Sequence, residues 1–154
     1  MIEEVNYAVM FIGDLLRQKG LSDDIVMRFE HTLSGMLVHN FRSTWFVDQP
    51  HRGSGNRCLR IERGQMDPSL ANTARSIGVS IIRLQNLLPT DITIWIDPKS
   101  VCYRSERSPL FSIYDEEDFS SGDSDSSNSS GQSAGKRKRA GTSYTSLPEA
   151  LSAF

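Results

Sequence analysis

Residues 91–98 read Asp-Ile-Thr-Ile-Trp-Ile-Asp-Pro, a strict alternation of apolar and other side chains. Successive side chains of an extended strand point to opposite faces, so Ile92, Ile94 and Ile96 share one face while Thr93, Trp95 and Asp97 share the other. The isoleucine face must be buried, which commits the chain to a sheet with at least one covered side. The other face carries a tryptophan beside a carboxylate, where a solvated sheet ordinarily places small polar residues. Two readings are open. Large aromatics at exposed positions are common anchors of protein–protein interfaces; alternatively a helix covers this face too, and Trp95 is core.

The cover for the isoleucines lies upstream. Ile2, Val5, Val9, Ile12 and Leu16 recur at helical spacing, and Gly20 follows as a C-terminal cap. Ser22 is placed to cap a second helix, with Asp23 and Asp24 in the first turn, where the helix dipole favours them. Leu21 and Val26 have the spacing of a hydrophobic staple. Ile25, Phe29, Leu33, Met36 and Leu37 continue an apolar face as far as Phe41. Two long helices joined by a short turn make an antiparallel pair.

The period then changes. Arg57 to Glu62 alternates around Leu59 and Ile61, as a strand does. Asp67-Pro68 is a cap followed by proline at the first helical position, and Gly78 closes that short helix. Ser80 caps another helix, carrying Ile81, Leu84, Leu87 and Leu88 and ended by Pro89. A turn at Asp97-Pro98 follows the Trp95 strand, with further strands over Val101 to Arg104 and Phe111 to Tyr114. Helices first and strands mostly later predict an α+β fold, an antiparallel helical pair packed on a small, mainly antiparallel sheet.

Composition divides the chain into a folded domain over residues 1–114 and a disordered tail over 115–154. The first part holds 13 basic and 12 acidic side chains, the second 4 and 7. Residues 120–135 include eight serines and no large apolar side chain, too little to offset the entropy of ordering. Lys136, Arg137, Lys138 and Arg139 form a basic quartet, readable by a nuclear import receptor or simply solvated charge. Serines beside Asp123 and Asp125 suit acidophilic kinases. The expected location is nucleus and cytoplasm.

The near-neutral folded part gives no reason to expect direct nucleic-acid binding. Cys58 and Cys102 form no CxxC, the first residues lack the basic stretch of a leader, and no apolar run nears the about 20 residues of a membrane span. The expectation is a reduced intracellular protein without membrane contact. Enzymatic chemistry finds no foothold either. His31, His39 and His51 are scattered, with no metal-ligand spacing and no cofactor implied. Gly53-Ser54-Gly55 lacks the rest of a phosphate loop or nucleophile elbow and reads as a turn between strands. Asp91 and Asp97 share a strand face but stand about 20 Å apart, too far for paired carboxylate chemistry. A non-enzymatic adaptor is the better class.

Several stretches together resemble the two signature boxes of the BTG/Tob anti-proliferative family. They are Gly53-Ser54-Gly55-Asn56-Arg57-Cys58-Leu59-Arg60-Ile61, Met66-Asp67-Pro68, Leu87-Leu88-Pro89, Ile94-Trp95-Ile96-Asp97-Pro98 and Val101-Cys102-Tyr103-Arg104. Trp45, in Ser43-Thr44-Trp45-Phe46 before Gln49-Pro50, is similar to a further family motif. The resemblance covers residues 1–114 and not the tail. It implies a non-enzymatic domain that docks on the Caf-type catalytic deadenylase subunit of the CCR–NOT complex, promoting poly(A) shortening, translational repression and restraint of the cell cycle. The family's docking tryptophan and aspartate correspond to Trp95 and Asp97. Two positions depart from the pattern: Asn56 stands where an aromatic follows Gly-Ser-Gly and contributes to that contact, and Lys99 stands where an aromatic is usual. Some short members carry the LxxLL string found here as Leu84, Leu87 and Leu88, which docks coactivators on nuclear receptors or is the core stripe of its helix. Leu147 and Phe154 have the spacing of a motif for poly(A)-binding protein, with Ala150 one position out of register. The alternative function is a self-assembling or transcription-coregulator module in the nucleus, meeting nuclear transcription factors, with weak or no deadenylase binding.

Overall fold

The computed structural model describes residues 1–105 and 108–119. Two long helices open it, α1 (Ile2–Gln18) and α2 (Asp23–Phe41). Short 3-10 turns at Arg42–Thr44 and Ser54–Asn56 lead to β1 (Cys58–Glu62) and β2 (Gln65–Met66). Then come α3 (Pro68–Ser76), α4 (Ile81–Leu87), β3 (Ile92–Asp97), β4 (Ser100–Ser105), β5 (Phe111–Asp115) and a helical turn, α5 (Glu116–Phe119). The strands form one sheet in the order β2-β1-β3-β4-β5, every neighbouring pair antiparallel. This is the α+β architecture the sequence predicts.

The helical pair is antiparallel, since Arg17 reaches Glu30 while Asn6, earlier in α1, meets Ser34, later in α2. Arg17 bridges Asp14, Asp23 and Glu30 across the turn. Gly13 permits the close approach there, because a Cβ would stand 1.9 Å from Glu30 Oε1. The buried stripe of α1 is Val5, Ala8, Val9, Phe11, Ile12, Leu15 and Leu16, so Ile2 is a correction: at 65% exposure it lies off the core face. In α2 the core residues are Val26, Phe29, Leu33, Leu37 and Phe41, with Ile25 and Met36 only half-buried. Leu21 and Val26 are both buried at the turn, as a staple requires.

Of the three expected N-caps, only Asp67 closes a side-chain bond, accepting Ser69 N–H at 2.8 Å with Pro68 at the first helical position. Ser22 and Ser80 occupy their N-cap positions without one. The aromatic residues of α1 lie on the sheet: Tyr7 stacks on Tyr114 at 4.5 Å, and Phe11 meets Tyr103 at 4.7 Å between centroids.

Three expectations need correcting. Gly53-Ser54-Gly55 does not join two strands, because no strand precedes it; it enters a 3-10 turn that delivers the chain into β1. Asp91 stands outside β3 with φ of 62°, so it does not share the Trp95 face. Order also runs past residue 114, since Asp115 ends β5 and Glu116–Phe119 turn helically. Tail features from Ser124 to Phe154, including Lys136, Arg137, Lys138, Arg139 and Leu147, lie outside the described residues. Among the described residues no helix is long and apolar enough to cross a membrane.

Candidate partner-docking face

β3 is the central strand, and its burial alternates as its sequence does. Ile92, Ile94 and Ile96 are at most 1% exposed and pack beneath the helices, while Thr93, Trp95 and Asp97 are half-buried on the opposite side. The pairing register fixes what surrounds Trp95. Cys58 of β1 and Cys102 of β4 flank it, and Arg60 and Arg104 flank Thr93 one row away. Of these neighbours, Arg60 and Arg104 are exposed and the cysteines half-buried. The helical pair packs on the isoleucine side, α3 on α2 and α4 on α3, so no described α-helix covers the Trp95 face. Of the two readings of Trp95, the open face is the one the fold provides.

Asp97 is less free than its neighbour. Its carboxylate is 15% exposed and held on both oxygens: Arg57 Nη2 and Nε donate to Oδ1 at 2.7 and 3.1 Å, and Ser54 Oγ donates to Oδ2 at 2.6 Å. Arg57 is fully buried. Its guanidinium also donates to the carbonyls of Thr44, Pro50 (2.6 Å), Arg52 (2.9 Å) and Ile96 (3.3 Å), which accounts for every N–H it carries. The ring of Trp45 lies 5.6 Å from the Arg57 guanidinium carbon. One buried cation therefore ties the 44–54 loop to the end of β3. Gly53 makes room for it: φ is 78°, and a Cβ would stand 3.1 Å from Arg57 Nη1.

Sequence reasoning missed Arg57. The signal was present, because Arg57 is in phase with Leu59 and Ile61, the core positions of β1. An arginine on that parity needs a carboxylate and several carbonyls around it.

Asn56 ends the 3-10 turn beside this clamp, exposed, its N–H donating to Gly53 O at 2.9 Å. Lys99 sits in the β3–β4 turn with φ of 71°, the positive value a type II turn requires at that position. Its N–H donates to Glu4 Oε1 at 2.9 Å, and its ammonium meets Glu116 at 3.1 Å. Burial alone would raise the Glu4 carboxyl, but hydrogen bonds from the amino group of Met1 and from Lys99 N–H hold it below its ordinary value. Burial raises the Cys102 thiol, with the Asp97 charge adding to the effect. Cys58 and Cys102 are free, on opposite sides of Trp95 and two strand spacings apart, beyond disulfide reach. Trp95, Asp97, Asn56 and Lys99 thus gather at one end of the sheet. Leu84, Leu87 and Leu88 do not present a receptor motif, since Leu84 is fully buried and Leu88 is 4% exposed. Their helix spends its leucines on the core.

Among the described residues no three histidines, cysteines or carboxylates gather as a metal site. Comparison with known proteins matches the same span. Residues 1–114 fit the model of the BTG family. The chain is 41% identical over 105 residues to Protein BTG1 of Homo sapiens, covering 68% of this chain and 61% of that protein. To Protein BTG2 of Homo sapiens it is 37% identical over 118 residues, 75% of this chain and 74% of that one. The chain therefore spans about 61% of the length of the BTG1 relative. The solved BTG/Tob domain of C. elegans FOG-3, carrying two substitutions, superposes with a TM-score of 0.68 at 28% identity, covering 76% of this chain and 94% of that one. Fold and matched span agree, and the chain belongs to the BTG/Tob family.

Proposed function

We propose that this chain is a non-enzymatic, anti-proliferative adaptor whose open sheet face docks on the Caf-type catalytic deadenylase subunit of the CCR–NOT complex. Through that contact it promotes mRNA deadenylation and translational repression, and so restrains the cell cycle. The observation that carries this reading is Trp95: a half-exposed tryptophan at the centre of a sheet face that no described α-helix covers. A half-exposed tryptophan brings large apolar area to a contact at little entropic cost. The family membership supports the same assignment. Asp97 then acts chiefly by shaping the edge of the face, because both its oxygens are held by Arg57 and Ser54.

The test is titration calorimetry of the purified chain with the purified deadenylase subunit. Wild type binds. Trp95→Ala weakens binding by about thirtyfold, equivalent to about 2 kcal/mol, with the circular dichroism spectrum unchanged. Asn56→Tyr strengthens binding by restoring an aromatic at an exposed position next to the clamp. Absence of wild-type binding, or normal binding by Trp95→Ala, overturns the assignment.

A further inference from the structure

Two cations of the open face form no ion pair among the described residues. Arg60 and Arg104 are exposed, and neither forms an ion pair or side-chain hydrogen bond among the described residues. Both are register partners of Thr93, on the strands either side of it, so their Cα atoms stand about 10 Å apart, two strand spacings. The Arg104 guanidinium carbon lies 5.8 Å from the Trp95 ring centroid, which anchors the cation and leaves its N–H groups available. The other charges near this face form no ion pair with either arginine. Glu62 and Asp67 line one hollow with Arg60 without bonding to it, Asp67 instead capping α3; Asp97 is neutralised by buried Arg57, and Asp115 is at the far edge, accepting Glu117 N–H.

The geometry points to a docking partner that presents two carboxylates, one for each arginine, set one row along the sheet from the apolar contact that receives Trp95. This inference rests on the docking function proposed above and names the chemistry of the surface that the face accepts. A planar guanidinium held against an aromatic ring is a preset fork for a carboxylate. Arginine and tryptophan are also the residues that concentrate binding energy at the centre of interfaces. Two other occupants fit less well. A second copy meeting this face about a two-fold axis would set arginines against arginines. A nucleic-acid strand needs a sustained run of cations, and residues 1–119 hold 13 basic against 16 acidic side chains.

Titration of the full chain with the purified deadenylase subunit, at salt from about 0.05 to 0.5 M, tests this. Arg60→Ala and Arg104→Ala each weaken binding several-fold, and the double change to glutamate weakens it about a hundredfold. The double alanine variant also loses most of the salt dependence, whereas Trp95→Ala loses affinity with the salt dependence retained. Both arginines are exposed, so the variants keep the wild-type circular dichroism spectrum. If Trp95→Ala disrupts binding while the double alanine variant keeps affinity and salt dependence, the carboxylate inference is overturned and docking stands. If wild type does not bind, both fall. Light scattering that shows a dimer lost on the double change to glutamate overturns the inference in favour of self-association. Binding of a short oligoadenylate, abolished by the same change, overturns it in favour of nucleic acid.

Discussion

The two faces of the sheet are made of alternate residues on the same strands, yet they answer to different constraints. Beneath the helices stand Leu59, Ile61, Ile92, Ile94, Ile96, Val101 and Tyr103, each at most 2% exposed. On the other side stand Cys58, Arg60, Thr93, Trp95, Cys102 and Arg104, of mixed chemistry and open or half-open to solvent. The first set is chosen by volume and apolarity, because a packed core loses both transfer energy and contacts when either changes. The second set is free of that demand, so its departures from small polar residues carry information. A core isoleucine says only that there is a core; Trp95, with an arginine pair one row away, sets this surface apart from an ordinary solvated one.

Arg57 breaks this division, since it is a fully buried charge whose guanidinium reaches Asp97 on the open side of β3. Removing it gives the largest effect expected here. Arg57→Ala strands the Asp97 carboxylate and the carbonyls of Thr44, Pro50 and Arg52, and costs about 4 kcal/mol. That is a large share of the stability of an ordinary domain. Arg57→Lys recovers only part, because an ammonium cannot reproduce the planar fork. Urea unfolding measures both. A loss below about 1 kcal/mol for Arg57→Ala would mean that the 44–54 loop is held by other means.

The next comparison uses adjacent residues of β3. Ile94 is fully buried and opposes Leu59 and Tyr103, whereas Thr93 faces outward between the two arginines. Ile94→Ala leaves a cavity under the helices and costs about 3 kcal/mol. Thr93→Ala costs about 0.5 kcal/mol, mostly in strand preference. Equal losses at the two positions would show that the outer face is packed, and Trp95 would return to being core.

How far the sequence revealed this depended on whether an interaction is periodic. The β3 alternation was read residue by residue, because burial on one side of a strand repeats every second position. The helical pair was read as well, although Ile2 matched the spacing and lies exposed, since period alone does not say where a stripe stops. β2 escaped notice because Gln65–Met66 is too short to show any period. The clamp escaped because its members are scattered: Thr44, Pro50 and Arg52 contribute backbone carbonyls, which any residue has, and Asp97 is distant in sequence from Arg57. Asp97 was singled out by family likeness as a docking residue. Its hold on Arg57 and Ser54 could be seen only once β1 and β3 were paired.

The smallest effect concerns a buried hydroxyl on the core face of β4. Tyr103 is 2% exposed, and its hydroxyl has no hydrogen-bond partner among the described residues. Its ring is retained by contact with Phe11 and by stacking on Phe111 at 5.3 Å, both of which phenylalanine preserves. Tyr103→Phe therefore leaves stability unchanged at neutral pH or raises it by up to about 1 kcal/mol, because an unpaired buried hydroxyl is removed with little change in shape. The variant has a second signature at alkaline pH. Burial pushes the Tyr103 hydroxyl up to about 12, above its ordinary value of 10. As pH rises, the unfolded chain releases this proton before the folded one, so stability is full below about pH 10 and declines from there to about pH 12. Tyr114 is pushed to about 12 by burial and by Glu3, Glu4 and Glu116, so part of the decline survives in Tyr103→Phe. Urea midpoints at pH 7 and near pH 11 measure both effects: the variant matches or exceeds wild type at the first and loses less at the second. A variant weaker than wild type at pH 7 by more than about 1 kcal/mol would place a hydrogen-bond partner for this hydroxyl outside the described residues.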